Sequence, residues 1–257
     1  MNPLLSLVTH SREFLLDASS GLSSLFFPRI CPFCQGEGGC IAIGDGDETD
    51  ETKERGRTEC LDFWNEPPSI RYIDGVPIYS VRPYDDRAMK VVLAAKERGE
   101  RSARKFLAQA IESVILEKLN GTSPLLLIPI PSTDHAIRKR GEDFILSLAR
   151  TVARRVKSRE ILIAPVLRWI RRVEDQSLLS IQERIENLAS ACQVDEKKVQ
   201  KWVVRNRLPE TLEIALIDDV ITSGATLSAA ISAISHSSLG FRSSLVGITA
   251  CHSARPF

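Results

Sequence analysis

One stretch constrains the fold of this chain more than any other: Ile214-Ala215-Leu216-Ile217-Asp218-Asp219-Val220-Ile221-Thr222-Ser223-Gly224-Ala225-Thr226. Four apolar residues open it, a run too short and too closely bounded for a helix, so they read as a buried strand. Asp218 and Asp219 stand at the carboxyl end of that strand. A turn rich in hydroxyls and glycine follows, and then Leu227 to Ile234 with helical spacing. Strand, tight turn and helix in succession are the unit of a parallel α/β sheet. Ligands of such sheets sit outside the carboxyl ends of the strands.

The chemistry of the turn follows from its residue types. Gly224 allows a backbone that other residues reach only at a cost. Thr222, Ser223 and Thr226 bring hydroxyl donors, and the free N–H groups of the turn and helix start, Ala225 included, converge on one point. The helix dipole adds positive potential there, which suits a phosphate monoester. Asp218 and Asp219 repel a phosphate but suit neutral hydroxyls beside it, such as a ribose diol. Phosphate and diol together describe a ribose 5-phosphate. A lone Asp near a helix start is usually only a cap; here strand, acid pair and hydroxyl-glycine turn occur together. A receiver-like acidic pocket would need a phosphoacceptor acid on another strand end and a distant Lys, and nothing in the stretch asks for them.

Leu216 to Thr226 resembles the 5-phosphoribosyl-1-pyrophosphate (PRPP) motif of type I phosphoribosyltransferases. The resemblance implies that Asp218 and Asp219 hold the ribose hydroxyls and act as catalytic residues, and that Thr222, Ser223, Gly224, Ala225 and Thr226 hold the 5-phosphate.

The 257 residues carry a formal net charge of +1, so bulk charge implies neither a nucleic-acid nor a membrane partner. No apolar run approaches the ~20 residues of a membrane span, and Met1 to Phe27 lacks the charged n-region and cleavage site of a signal peptide. The chain therefore reads as cytoplasmic. In that compartment its six cysteines read as metal ligands or core residues rather than disulfides.

Along the chain, residues 3–27 are apolar at mixed helical spacing, one amphipathic helix or two broken near Gly21. Cys31-Pro32-Phe33-Cys34 forms a C-x₂-C knuckle, and Cys40 and Cys60 are the available second pair for a structural tetrahedral zinc site. Residues 44–58, charged and nearly free of apolar side chains, read as a disordered loop. The expected division is a helical and cysteine-rich module over residues 1–70 and an α/β domain over 71–257.

Within that domain, 76–82 alternates as a strand, and Asp86 to Ala95 is helical and ends in Lys96-Glu97-Arg98-Gly99. Lys96 and Arg98 would form a cationic loop able to meet a pyrophosphate. Arg101 to Leu119 is a long amphipathic helix, and Leu125 to Pro131 a buried strand ending in a proline pair. Arg138-Lys139-Arg140 before Gly141 reads as a mobile basic lid or, equally, as a solvated helix start. Phe144 to Val156 is a helix, 161–167 a strand, 168–175 a hairpin or loop, 176–188 a helix, 193–204 an extended pair or hairpin, and 244–250 the last strand. Cys192 and Cys251 stand alone and read as structural, and the four histidines show no ligand spacing. Strands alternating with helices indicate a doubly wound, mostly parallel sheet.

The order of these features resembles the ComF family of phosphoribosyltransferase-like proteins. The resemblance rests on Cys31 to Cys34 after Phe26-Phe27-Pro28, on Ala95-Lys96, on Ile128-Pro129-Ile130-Pro131, on Arg140-Gly141, on Gln176, Arg184 and Asn187, and on the 216–226 stretch. It implies a type I phosphoribosyltransferase-like α/β domain behind a small cysteine-rich module. Phe63 stands where the family has a cysteine, and Cys40 would substitute for it. Glu142-Asp143-Phe144 replaces the family's Phe-Asn-Gln, and an acid pair facing a base or a second ligand there would change what is recognised, so the family's reading does not carry over at that loop.

Two functions follow. The first is a PRPP-binding protein of phosphoribosyltransferase type that uses Mg²⁺, a hard ion suited to clustered phosphate oxygens, with Arg140 closing over the departing pyrophosphate. The second, implied by the family, is a non-catalytic accessory factor of DNA uptake in natural competence that binds single-stranded DNA or DNA-uptake proteins. Its sequence support is the basic stretches 138–140 and 168–172, with Trp169 as the stacking residue.

Overall fold

The computed structural model describes residues 31, 66–170, 191–206, 212–237 and 245–253. The elements are β1 (Ser69–Ile73), β2 (Val76–Pro83), α1 (Asp86–Lys96), α2 (Arg101–Lys118), β3 (Leu125–Pro129), α3 (Asp134–Arg140), α4 (Phe144–Arg155), β4 (Ile161–Ile163), β5 (Leu167–Trp169), β6 (Cys192–Val194), α5 (Glu196–Asn206), β7 (Glu213–Ile221), α6 (Ala225–Ser235) and β8 (Leu245–His252). Six strands form one sheet in the order β1-β2-β8-β7-β3-β4. All neighbours run parallel except the β1–β2 hairpin. β5 and β6 form a separate antiparallel pair. The molecule is α/β with a mostly parallel mixed sheet.

Period-two alternation divides the core between the two faces of the sheet. Leu125 and Leu127 of β3 join Ala215 and Ile217 of β7 in one cluster, with α1, α2 and α4. Leu126 and Ile128 join Ile214 and Leu216 in the other, with α6 and the β5–β6 side. Both faces are covered, which is why β3 and β7 read as continuous apolar runs. α2 presents Ala103, Phe106, Leu107, Ala110, Ile111 and Val114 as one buried stripe, packed on α1, α4, β2 and β8.

Local chemistry sets the element ends. Asp85 caps α1, accepting from the amides of Arg87 and Ala88, and Asp143 caps α4 through Leu146. The strand expected over 161–167 breaks into β4 and β5, with Pro165 between them removing a ladder donor. The extended pair expected over 193–204 is instead a strand and a helix: β6 is followed by Asp195, whose Oδ1 accepts from the amide of Lys198, and then by α5. Val199, Trp202 and Val203 pack on the core at helical spacing, and Trp202 Nε1 donates to the Ile163 carbonyl at 2.7 Å. β1 has no counterpart in the expected elements, and the division at residue 70 cuts through it. Its signal is Asp74-Gly75, both at positive φ (50° and 79°), the pair a two-residue hairpin turn requires.

The strand order reverses its sense of progression between β3 and β7. From β3 the chain moves outward to β4, and from β7 it moves the other way to β8. That reversal opens a crevice at the carboxyl ends of β3 and β7. Among the described residues no helix is long and apolar enough to cross a membrane.

At the carboxyl end of β8, between β2 and β7, His252 is nearly buried. Burial, and then the charges of Arg71 and Arg82, disfavour its imidazolium. Its folded pKa therefore lies below that of the unfolded chain, so unfolded molecules take the proton first as pH falls below about 6.5. This contribution to stability is complete above that pH and is lost on acidification. Melting curves from pH 7.5 to 5.5 (roughly the window set by a free imidazole) should fall less steeply for His252→Gln than for wild type.

Candidate functional site

Asp218 and Asp219 lie near the carboxyl end of β7, Asp219 two residues before its last, and their side chains accept from the next backbone amides. The Asp219 amide donates to Asp218 Oδ1 at 2.9 Å, and the Val220 amide to Asp219 Oδ1 at 3.0 Å. Asp219 is 5% exposed in its side chain and accepts from Lys96 Nζ at 2.7 Å. Lys96, the last residue of α1, is one third exposed and lies 6.0 Å from the centroid of the Phe144 ring. A carboxylate on one side and an aromatic face on the other hold the ammonium in place.

The electrostatics of the pair are asymmetric. Burial, and then the neighbouring Asp219 charge, push the Asp218 carboxyl well above the usual carboxylate range. Burial acts on Asp219 in the same direction, but the ammonium of Lys96 and its hydrogen bond outweigh it and hold that carboxyl low. The Asp219 charge in turn raises Lys96 against its own desolvation. The strand end therefore offers an ionised acceptor beside a carboxyl that keeps its proton longer, an arrangement suited to two neighbouring hydroxyls.

After the pair the chain turns through Thr222, exposed, and Ser223, half-buried, to Gly224. Gly224 has φ 75° and ψ −8°, a left-handed conformation, and stands at the N-cap of α6 with no side-chain cap. Ser223 Oγ accepts weakly from the Ala225 amide at 3.4 Å. The Ser228 amide makes the first helical bond, to the Gly224 carbonyl, at 2.8 Å. Among the described residues the amides of Gly224, Thr226 and Leu227 meet no protein acceptor. These are the donors an anion at the helix start would take.

Across the crevice, α3 follows β3 and carries Arg138, Lys139 and Arg140 in its last turn. The basic run is thus a short helix ending on Gly141 at φ 76° rather than a loop. Arg140 is 9% exposed in its side chain and bonds Glu97 through Nη1 at 3.3 Å. It lies near enough to Lys96 to oppose that group's charge. The structure brings Lys96, Asp218, Asp219 and Arg140 to one place. Arg98 stands apart: it is largely exposed and pairs with Glu100 at 2.6 Å.

The acid pair 142–143 is committed to structure. Glu142 bridges Arg104, and Asp143 caps α4 while accepting from Ser132 Oγ at 3.1 Å. Neither is left to face a base. Trp169 Nε1 donates to the Pro131 carbonyl at 2.7 Å, so this half-buried indole braces the β3 exit. Cys31 is buried in the cluster of α1 and α2; Cys34, Cys40 and Cys60 lie outside the described residues, as do residues 3–27, the 44–58 loop, Gln176, Arg184 and Asn187. Among the described residues no three His, Cys, Asp or Glu side chains are grouped to hold a metal ion. Cys192 and Cys251 are buried, free thiols; burial pushes Cys192 up to about 12 and raises Cys251 further.

Two neighbours of the site have no counterpart in the sequence reading. Tyr84, just past β2, has its phenol raised by burial and then by the Asp219 charge. Glu97, adjacent to Lys96, joins α1 to α3. Neither belongs to a motif; only folding places them near the acid pair.

No protein-family model matches the chain, and no curated protein matches it.

The asymmetry has a consequence of opposite sign at adjacent positions. Asp218→Asn removes a carboxyl that burial penalises and should raise the melting temperature at pH 8. Asp219→Asn strips a partner from Lys96 and should lower it, by the equivalent of about 2 kcal/mol after allowing for the exposure of the lysine. Calorimetric melts of the two variants check both signs.

Proposed function

We propose that the chain binds PRPP and acts as a protein of phosphoribosyltransferase type, on a type I phosphoribosyltransferase-like domain. The observation that carries this reading is the convergence of Lys96, Asp218, Asp219 and Arg140 on a helix start with free amides. The amides and hydroxyls of the 222–226 turn would bind the 5-phosphate. Asp219 would accept from one ribose hydroxyl, and Asp218 would exchange hydrogen bonds with the other. Lys96 and Arg140 would face the pyrophosphate, with Arg98 contributing charge from the loop edge.

Mg²⁺ fits this donor set as an ion shared with the ligand. Asp218 and Asp219 are hard oxygen ligands, but Asp219 is paired with Lys96, and burial raises the Asp218 carboxyl above the usual carboxylate range. The two carboxylates, Asp218 once it has given up its proton, would contribute to a site that the diphosphate oxygens complete. When bound, the ion would supply further neutralisation of the diphosphate. In turnover the bond from ribose C1 to the pyrophosphate oxygen breaks, and its electron pair leaves with pyrophosphate. C1 passes through an oxocarbenium-like state, and an acceptor nucleophile adds there and gives up its proton. Lys96 and Arg140 would stabilise the charge on the leaving group, the larger part of such catalysis.

Titration calorimetry with PRPP, with and without Mg²⁺, tests the reading. Wild type should give heat; Lys96→Met and the double variant Asp218→Ala/Asp219→Ala should lose at least about tenfold in affinity, the loss of one charge-assisted contact. No heat with wild type, or unchanged affinity in the double variant, overturns it.

A further inference from the structure

Among the described residues, the cations at and beside the site meet protein carboxylates. Lys96 meets Asp219, Arg98 meets Glu100, and Arg140 meets Glu97. The first pair is largely buried and joins two elements; the second is a surface contact. The third has the form of a ligand contact. Glu97 Oε2 accepts from Lys139 Nζ at 2.8 Å, and its Oε1 accepts from Arg140 Nη1 at 3.3 Å. One carboxylate thus bridges two cations, as a phosphoryl group would.

The bridge leaves Arg140 under-used. More than nine tenths of its side chain is buried, yet its Nε finds no hydrogen-bond partner among the described residues. A buried donor without an acceptor is costly, and a guanidinium that offers one Nη to a carboxylate forgoes its two-pronged geometry. The contact with Glu97 is also single-pronged and long. Glu97 itself is about one third exposed and, among the described residues, its carboxylate is held by these two cations. It can leave for water at little cost, because partly exposed ion pairs are weak.

We propose that Glu97 is an internal competitor for the anion site: its carboxylate occupies the Lys139–Arg140 clamp in the free protein and yields it to the pyrophosphate group of the ligand. The inference rests on the PRPP reading and adds the residue that sets the charge threshold of that site. A multiply charged pyrophosphate gains more from both cations than the single carboxylate it displaces. Inorganic phosphate, smaller and less charged, gains less. Glu97 therefore sets a threshold of affinity at the clamp, which pyrophosphate passes more readily than phosphate.

Sodium pyrophosphate and inorganic phosphate serve as probes, titrated by calorimetry at fixed ionic strength into wild type, Glu97→Gln and Glu97→Asp. Glu97→Gln should bind pyrophosphate roughly three- to tenfold more tightly, the range expected for releasing a partly exposed ion pair. It should tighten phosphate by no more than a similar factor, because displacing the same carboxylate costs the same for either anion. Glu97→Asp keeps the charge and should stay near wild type in both. A group that merely positioned Arg140 would weaken binding when neutralised. Unchanged or weaker pyrophosphate binding by Glu97→Gln, with PRPP still bound by wild type, overturns the competitor alone. Absence of pyrophosphate and PRPP binding in every variant overturns the competitor and the PRPP reading together.

Discussion

The ion pair of Lys96 and Asp219 is the contact on which the site depends. It joins the end of α1 to the end of β7 across 123 residues of chain. Removing two charges from water is costly, and such a pair persists only with good geometry and further partners. Here the 2.7 Å contact, the Phe144 ring and the backbone bond from Val220 supply them. The pair also makes two chemically identical residues unequal. Asp219, beside the ammonium, is held low; Asp218, desolvated and beside an ionised neighbour, is raised above the usual carboxylate range. One strand end thereby presents two different hydrogen-bonding groups.

The position of the pair follows from sheet topology. β3 and β7 are neighbours whose following connections depart in opposite directions. No helix can cover the gap between those departures, so a crevice stays open at the strand ends. The apolar run of β7 is broken at Asp218, whereas β3 stays buried through Pro129 and Ile130, so the polar rim on that side begins after them. The turn before α6 supplies unpaired amides on one side, and the last turn of α3 supplies cations on the other. Burying both faces of the sheet keeps these groups in register, since close-packed layers leave little room to slide.

Much of this is legible from residue order. The β7–turn–α6 unit is announced by its own composition, because an apolar run, an acid pair and a glycine turn have few other uses in sequence. β2, α1, α2, β3 and α4 show their periodicity plainly. Other elements were hidden by competing signals. Polar residues obscured α5, whose apolar stripe is only Val199, Trp202 and Val203. The apolar continuity of 161–167 concealed the break at Pro165, although proline cannot donate within a ladder. The hairpin at Asp74-Gly75 carried a clear turn signal beside a short, mixed strand. The acid pair Glu142-Asp143 looked like specificity and is structure: one residue neutralises Arg104 and the other caps a helix. A charged residue's type says what it can bind, whereas its partner depends on what the fold brings near.

The amino-acid order by itself determined the strand, the acid pair, the left-handed turn and the helix start, because these rest on nearest-neighbour sterics and on period. It also determined that basic residues lie before Gly99 and Gly141. Only the tertiary structure decided which acid meets which base. Lys96 reaches Asp219 rather than solvent, Glu97 reaches Lys139 and Arg140, and Arg98 is left to Glu100. Electrostatic attraction at these distances falls within a few ångströms of contact in water. Pairing is therefore set by the packing that fixes α1, α3 and β7 against one another, and that packing is a property of the whole core.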